Sequence, residues 1–281
     1  MSRRQFGHLP RFAPPGASLR VPLARFGAPI LVTAALLGLA AAPSYAATTA
    51  DASYVVNLGG NIIANAKFHF VDDGSAYSLS LDANVSGVAQ LVASGTARVD
   101  SAGGVTGDGL RSNSFDLTTR SGGDEFNVRV QYSQAAVTAF MIDPPITNNI
   151  DRIPIERKQL SGVNDFLASF IRKGSLDRGL CDYKARIFTG IERFDLTFNY
   201  AKDDVATSKR TGYQGPVVLC NVKYKPIAGH YTTSEITNSL AQDDRILIWF
   251  APLGDSGYAI PYRVLLTTSM GDLSMVLTKL E

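Results

Sequence analysis

Three observations predict an all-β fold. Short runs alternate apolar and polar residues with period two along most of the chain. Gly, Asp and Asn clusters separate those runs. Only one stretch carries an apolar stripe at helical spacing. Together they predict a single curved antiparallel sheet forming a half-barrel or incomplete barrel. One short amphipathic helix is expected to cover its concave face or mouth.

The first 46 residues differ from the rest. Ala28 to Ala42 is an apolar run preceded by Arg3, Arg4, Arg11, Arg20 and Arg25, and no acidic residue occurs before Asp51. Ser44-Tyr45-Ala46 places small residues at the two positions that a signal peptidase reads. The run is too short to cross a bilayer of about 30 Å as a stable helix, so 1–46 is expected to be a secretory signal cleaved after Ala46. Ser2-Arg3-Arg4-Gln5-Phe6 is similar to a twin-arginine start. Its distance from the apolar run favours the general secretory route instead. The expected location is the periplasm, and no long apolar stretch after residue 46 predicts stable membrane insertion. The chain carries 27 basic and 25 acidic residues. Removing the five signal arginines leaves 22 basic residues against 25 acidic, a net −3. That balance gives no electrostatic case for nucleic acid.

Residues 47–281 are expected to form one β-rich domain. Tyr54-Val55-Val56-Asn57-Leu58 opens the strand series. Phe68-His69-Phe70-Val71 follows, and Asp72-Asp73-Gly74-Ser75 is a hairpin turn. Tyr77, Leu79 and Leu81 share a face, as do Val128, Val130 and Tyr132. Later strands are predicted at 183–189, 193–200, 216–225, 245–251, 258–268 and 272–280, the last two joined across Ser269-Met270-Gly271-Asp272. The proline-containing stretch from about 143 to 160 cannot be strand interior and reads as a crossover. Val163, Phe166, Leu167, Phe170 and Ile171 then fall on one helical stripe, predicting a helix over 162–173. Ser161 could cap its start, Arg172 and Lys173 suit its end, and Gly174 could stop it.

Cys181 and Cys220 are the only cysteines. In an oxidising compartment a structural disulfide is the default. The rival readings are a redox pair and a metal site, but the first usually spaces its cysteines two apart and the second needs more ligands.

No catalytic constellation is visible. His69 lies between Phe68 and Phe70 and points away from them. His230 follows Gly229 in a turn, and neither histidine has a partner at metal-ligand spacing. The mature chain holds no Gly-x-Ser-x-Gly. Asp72-Asp73, Asp203-Asp204 and Asp243-Asp244 read as turn residues. No metal and no cofactor are expected. Arg193, between Glu192 and Asp195, reads first as an ion-paired arginine; Arg263 reads first as a strand arginine with its head in water. Trp249 lies in a strand apolar on both faces, which predicts a central, buried position.

The order of motifs from Cys181 onward carries a resemblance. It runs through Ile187-Phe188-Thr189-Gly190-Ile191-Glu192-Arg193-Phe194-Asp195-Leu196, Gly212-Tyr213-Gln214-Gly215 and Cys220-Asn221-Val222-Lys223-Tyr224-Lys225-Pro226. Ile248-Trp249-Phe250-Ala251-Pro252 and Ile260-Pro261-Tyr262-Arg263-Val264 continue it. The series resembles the exported bacterial family called domain of unknown function 3108. That resemblance implies export, a β-rich fold, paired cysteines at the positions of Cys181 and Cys220, and no assigned activity.

The expected function is that of a non-enzymatic, soluble periplasmic protein in envelope maintenance. It would bind an acyl chain, a lipid or lipoprotein, or an envelope protein. Phe166, Phe170, Trp249, Arg193 and Arg263 are the candidates to line an apolar groove beneath the helix. The alternative is a structural or interaction protein with a solid core. A cell-wall or lipid hydrolase is a minor alternative.

Overall fold

The computed structural model describes residues 47–91, 94–242, 246–268 and 271–281. The predicted signal with its Ala46 site, Asp243-Asp244 and the Ser269-Met270 turn tip lie outside the described residues. The strands are β1 (Thr48–Leu58), β2 (Asn61–Asp72), β3 (Ala76–Val85), β4 (Thr96–Thr106), β5 (Gly109–Ser121), β6 (Asp124–Ser133) and β7 (Ala136–Asp143). They continue with β8 (Arg172–Lys173), β9 (Tyr183–Phe188), β10 (Arg193–Ala206) and β11 (Gly215–Ala228). After the helix α1 (Glu235–Gln242) come β12 (Ile246–Pro252), β13 (Tyr258–Thr268) and β14 (Gly271–Leu280).

Antiparallel neighbours run in the order β7-β6-β5-β4-β3-β2-β1-β14-β13-β12-β11-β10-β9. The two-residue β8 closes this path on itself. Lys173 pairs with Tyr258 and Arg172 with Ala259 of β13, while Arg172 also pairs with Gly109 of β5. The ring β13-β14-β1-β2-β3-β4-β5-β8 is thus a closed antiparallel barrel of eight strands. This corrects the expected half-barrel or incomplete barrel. Strand alternation reports which face is buried, whereas closure rests on a strand too short to show any periodicity. A second seal joins the outer strands. The amide of Val163 donates to the Ala135 carbonyl and that of Asn164 to the Arg186 carbonyl, both within 2.9 Å.

The inner face of the ring follows the predicted alternation. Ala50, Ala52 and Tyr54 of β1 are buried with Phe68 and Phe70 of β2 and with Tyr77 and Leu79 of β3. Phe70 packs edge-on against Tyr258 with ring centroids 5.1 Å apart. A buried Phe or Leu side chain of this set stabilises by about 1.5–3 kcal/mol. The polar ends of the tyrosines are satisfied: Tyr54 Oη donates to the Pro261 carbonyl at 2.9 Å, and Tyr258 Oη donates to Asp72 at 2.7 Å. The 72–75 hairpin forms as predicted, with Asp73 accepting from the Ser75 and Ala76 amides.

A second apolar cluster covers the opposite face of β9–β12. Phe198, Val218, Cys220, Val222, Ile248 and Phe250 are buried there. Ala251, one residue from Phe250, is buried in the ring-side cluster. The strand β12 is therefore fully covered on the face of Ile246, Ile248 and Phe250 and only partly on the other, where Leu247 and Trp249 are half-buried and not the buried pair its composition predicts. Cys181 and Cys220 form a disulfide with Cα atoms 5.4 Å apart, and both cysteines are fully buried. The bridge fastens the turn Arg178–Cys181 onto β11. Gly190 shows how tightly the chain packs. It adopts φ +87°, and a Cβ there would collide with Val128 Cγ1.

The predicted helix over 162–173 does not form. Gly162 adopts φ +68°, 163–164 bond to neighbouring strands, only Ala168–Phe170 makes a 3-10 turn, and Arg172–Lys173 becomes β8. The apolar stripe is partly right. Val163, Leu167 and Ile171 are buried in the ring-side cluster. Phe166, placed on the same predicted stripe, is 39% exposed. The α-helix instead spans Glu235–Gln242, where the Ser234 hydroxyl accepts from the Thr237 amide at 3.3 Å.

Candidate ligand-binding clefts

The segment 161–173 stoppers the ring, and a buried carboxylate fixes it. Asp165 is fully buried. Its Oδ1 accepts from the Ala168 amide at 2.9 Å, which caps the short turn. Its Oδ2 accepts from Ser101 Oγ of β4 at 2.6 Å. Ser112 Oγ of β5 lies between Asp165 Oδ2 and Asn164 Oδ1 within donating range of both, and Tyr77 Oη reaches Ser101 at 3.1 Å. Asn164 Nδ2 donates to the Leu110 carbonyl at 2.9 Å. Burial raises the Asp165 carboxyl above the usual carboxylate range, against hydrogen bonds from Ser101 and Ser112 that favour its charged form. These serine hydroxyls are buried and held by Asp165, so their chemistry is to anchor the stopper.

Two clefts flank β8. The larger, of about 830 Å³, opens at one end of the ring. Ala50, Val105, Leu253, Tyr258 and Leu280 supply apolar lining, and Asp72, Lys173, Asp255 and Glu281 supply charge. The smaller, of about 300 Å³, lies where 162–172 crosses between β5 and β9. Arg111, Arg172, Lys184 and Arg186 line it, with Asp108 as the acid. Successive residues of β8 thus serve different clefts, Arg172 the smaller and Lys173 the larger, as strand alternation requires.

The five predicted groove residues do not converge. Phe166 and Phe170 meet edge-on at 5.0 Å, and Phe170 lies 6.2 Å from Phe198 in the disulfide-side cluster. Trp249 and Arg263 are cross-strand partners, with the Arg263 guanidinium 5.4 Å from the indole and exposed to solvent. Trp249 Nε1 donates to Asp204 at 3.0 Å. Arg193 is 3% exposed. It donates to the Gln159 carbonyl at 3.0 Å and pairs with Asp195 at 2.6 Å. The space beneath the predicted helix is filled by Val163, Leu167, Ala168 and Ile171 packed into the ring-side core. His69 stands on the outer face of β2, 2.9 Å from Asp51. Sequence reasoning missed Asp165, Arg111, Arg172 and Arg186. Arg172 read as the end of a helix, and the others share no local pattern.

Residues 52–278 match the family described as Protein of unknown function (DUF3108). No curated protein matches the chain. Among solved structures, the chain is similar to a crystal structure of a beta-barrel-like protein of domain of unknown function DUF1849 from Brucella abortus. The two are 13% identical with a TM-score of 0.46, over 83% of this chain and 97% of the other.

Proposed function

This chain belongs to the DUF3108 family, and on that premise we propose that it is an exported, soluble, non-enzymatic periplasmic protein that serves envelope maintenance by binding. Its ligand is an acyl chain, a lipid or the lipid-bearing part of an envelope protein. The supporting observation is the 830 Å³ cleft at the end of the ring, with Ala50, Val105, Leu253, Tyr258 and Leu280 in its lining. That volume falls within the usual range for small-molecule sites. A site at the ring's end replaces the groove expected beneath a helix, since the stopper occupies that position.

The filled ring favours a second reading, a structural protein that meets an envelope partner through its surface. Intact-mass measurement on protein recovered from the periplasm separates the two. Under native conditions the binding reading predicts added mass that organic extraction removes, and that Leu253→Asp abolishes. Denaturing conditions should give the mass of residues 47–281 with its disulfide intact. Native mass equal to bare polypeptide, with crosslinking to an envelope protein in cells, would replace the binding reading with the structural one. Retention of residues 1–46 in cytoplasmic protein would remove both.

A further inference from the structure

We propose that the smaller cleft, between the stopper and strands β5 and β9, binds a phosphate group. The inference starts from the ion pairs. Arg98, Arg120, Arg129 and Arg193 each pair with a carboxylate within 4 Å. Arg111, Arg172 and Arg186 pair with none among the described residues, a trait they share with Arg152, Arg157, Arg178, Arg210 and Arg263, but these three gather in one cleft of about 300 Å³. Lys184 adds a fourth cation, already bonded to Asp195 at 2.8 Å. Asp108 is the one acid in the lining. In a mature chain of net −3, such a local excess of positive charge is a feature of the site and not of the composition.

Arg172 is half-buried and held, while Arg111 and Arg186 are exposed at the mouth of the cleft. Arg172 Cζ sits 3.4 Å from the centroid of the Tyr183 ring, and its backbone is fixed by pairing to both β5 and β13. Burial acts against its charge, so an anion beside it restores what desolvation removes. Arg186 Nη1 lies against Gly162, where a Cβ would stand 2.9 Å away. That glycine, at φ +68°, keeps the stopper close to β9 while leaving the guanidinium room. Guanidinium forks match phosphate oxyanions by paired hydrogen bonds, and several arginines around one cleft can meet more than one phosphate oxygen. Asn164, also in the lining, spends its side chain on Leu110 and Ser112, so recognition falls to the arginines.

The same chemistry is offered by a free phosphate and by a phospholipid headgroup. Calorimetry on the oxidised chain 47–281 in a non-phosphate buffer decides between them, with sodium chloride matching ionic strength throughout. Inorganic phosphate is one probe; phosphatidylglycerol vesicles, against phosphatidylcholine vesicles, are the other. Saturable binding of inorganic phosphate identifies a free-phosphate site. Binding to phosphatidylglycerol vesicles alone identifies a headgroup site. In either case Arg186→Gln should weaken binding at least tenfold. Asp108→Asn, at an exposed position that leaves the packing intact, should tighten it severalfold. Binding of neither probe by wild type or by Asp108→Asn overturns the proposal, as does binding that Arg186→Gln leaves unchanged. Either result leaves the reading of the larger cleft standing, because Leu253 does not line this site.

Discussion

The Asp165 carboxylate accepts a hydrogen bond of 2.6 Å from the hydroxyl of Ser101, 64 positions away in sequence. This contact carries the segment 161–173 into the ring and holds it there. A carboxylate in an apolar ring is expensive unless its oxygens are met by donors. Here Ser101, Ser112 and the Ala168 amide meet them.

Asp165→Ala should therefore be strongly destabilising, by about 1–3 kcal/mol for each donor left unsatisfied. Asp165→Asn tests the charge separately. Because burial raises the native pKa of Asp165 above its unfolded value, its contribution is fully present below the unfolded pKa of about 3.9 and declines as pH rises through the native value. Urea midpoints measured from pH 4 to 8 should show wild type losing stability relative to Asp165→Asn as pH rises. Parallel curves would contradict this.

Arg193 gives the opposite sign. Burial works against ionisation of Asp195, but hydrogen bonds from Lys184 and Arg193 outweigh it and hold the carboxyl below the usual range. Arg193→Ala leaves that carboxylate unpaired on its buried side and should cost about 3–5 kcal/mol at pH 7. Lys184 is half-exposed, so Lys184→Ala should cost about 1 kcal/mol or less. A depressed pKa contributes above the unfolded value, so the Arg193→Ala deficit should shrink as pH falls below about 4. Equal losses from the two variants at neutral pH would refute the assignment.

The strands that were legible have at least one buried face, and burial writes a period of two into the residues; β4, β5, β7 and β8 were not read, and β7 has no buried residue. Tyr77 and Leu79 are one instance, and Val128, Val130 and Tyr132 another. The disulfide was legible from the cysteine count and from the compartment that the sequence leads one to expect. The helix over 162–173 misled because Val163, Leu167 and Ile171 are buried in both conformations. What separates the two is where the amides of Val163 and Asn164 bond, and those partners are Ala135 in the β6–β7 turn and Arg186 on β9. The helix α1 left a fainter trace, Ser234 as cap with Ile236 and Leu240 four apart. Closure and the smaller cleft left none, since Gly109, Arg172 and Ala259 meet only in three dimensions.

That difference in burial along one stripe can be measured. Leu167 is 7% exposed and Phe166 is 39% exposed. Leu167→Ala should cost about 2–5 kcal/mol, whereas Phe166→Ala should stay within about 1 kcal/mol of wild type. Chemical denaturation of both variants checks this. A large loss from Phe166→Ala would restore the helical stripe.

The disulfide closes a separation of 39 residues. Constraining the unfolded chain to that extent contributes about 4 kcal/mol. The double replacement Cys181→Ser with Cys220→Ser should lower the melting temperature by about 10 °C. An unchanged melting temperature would show that the turn Arg178–Cys181 stays on β11 without the bridge.

Amide hydrogen exchange across 161–173 reads the state of the stopper directly. A segment sealed to β7 and β9 and anchored at Asp165 should exchange its Val163 and Asn164 amides as slowly as the core of β1–β5. Exchange on the timescale of exposed loops, while β1–β5 stay protected, would mean that the ring stands open at this seam.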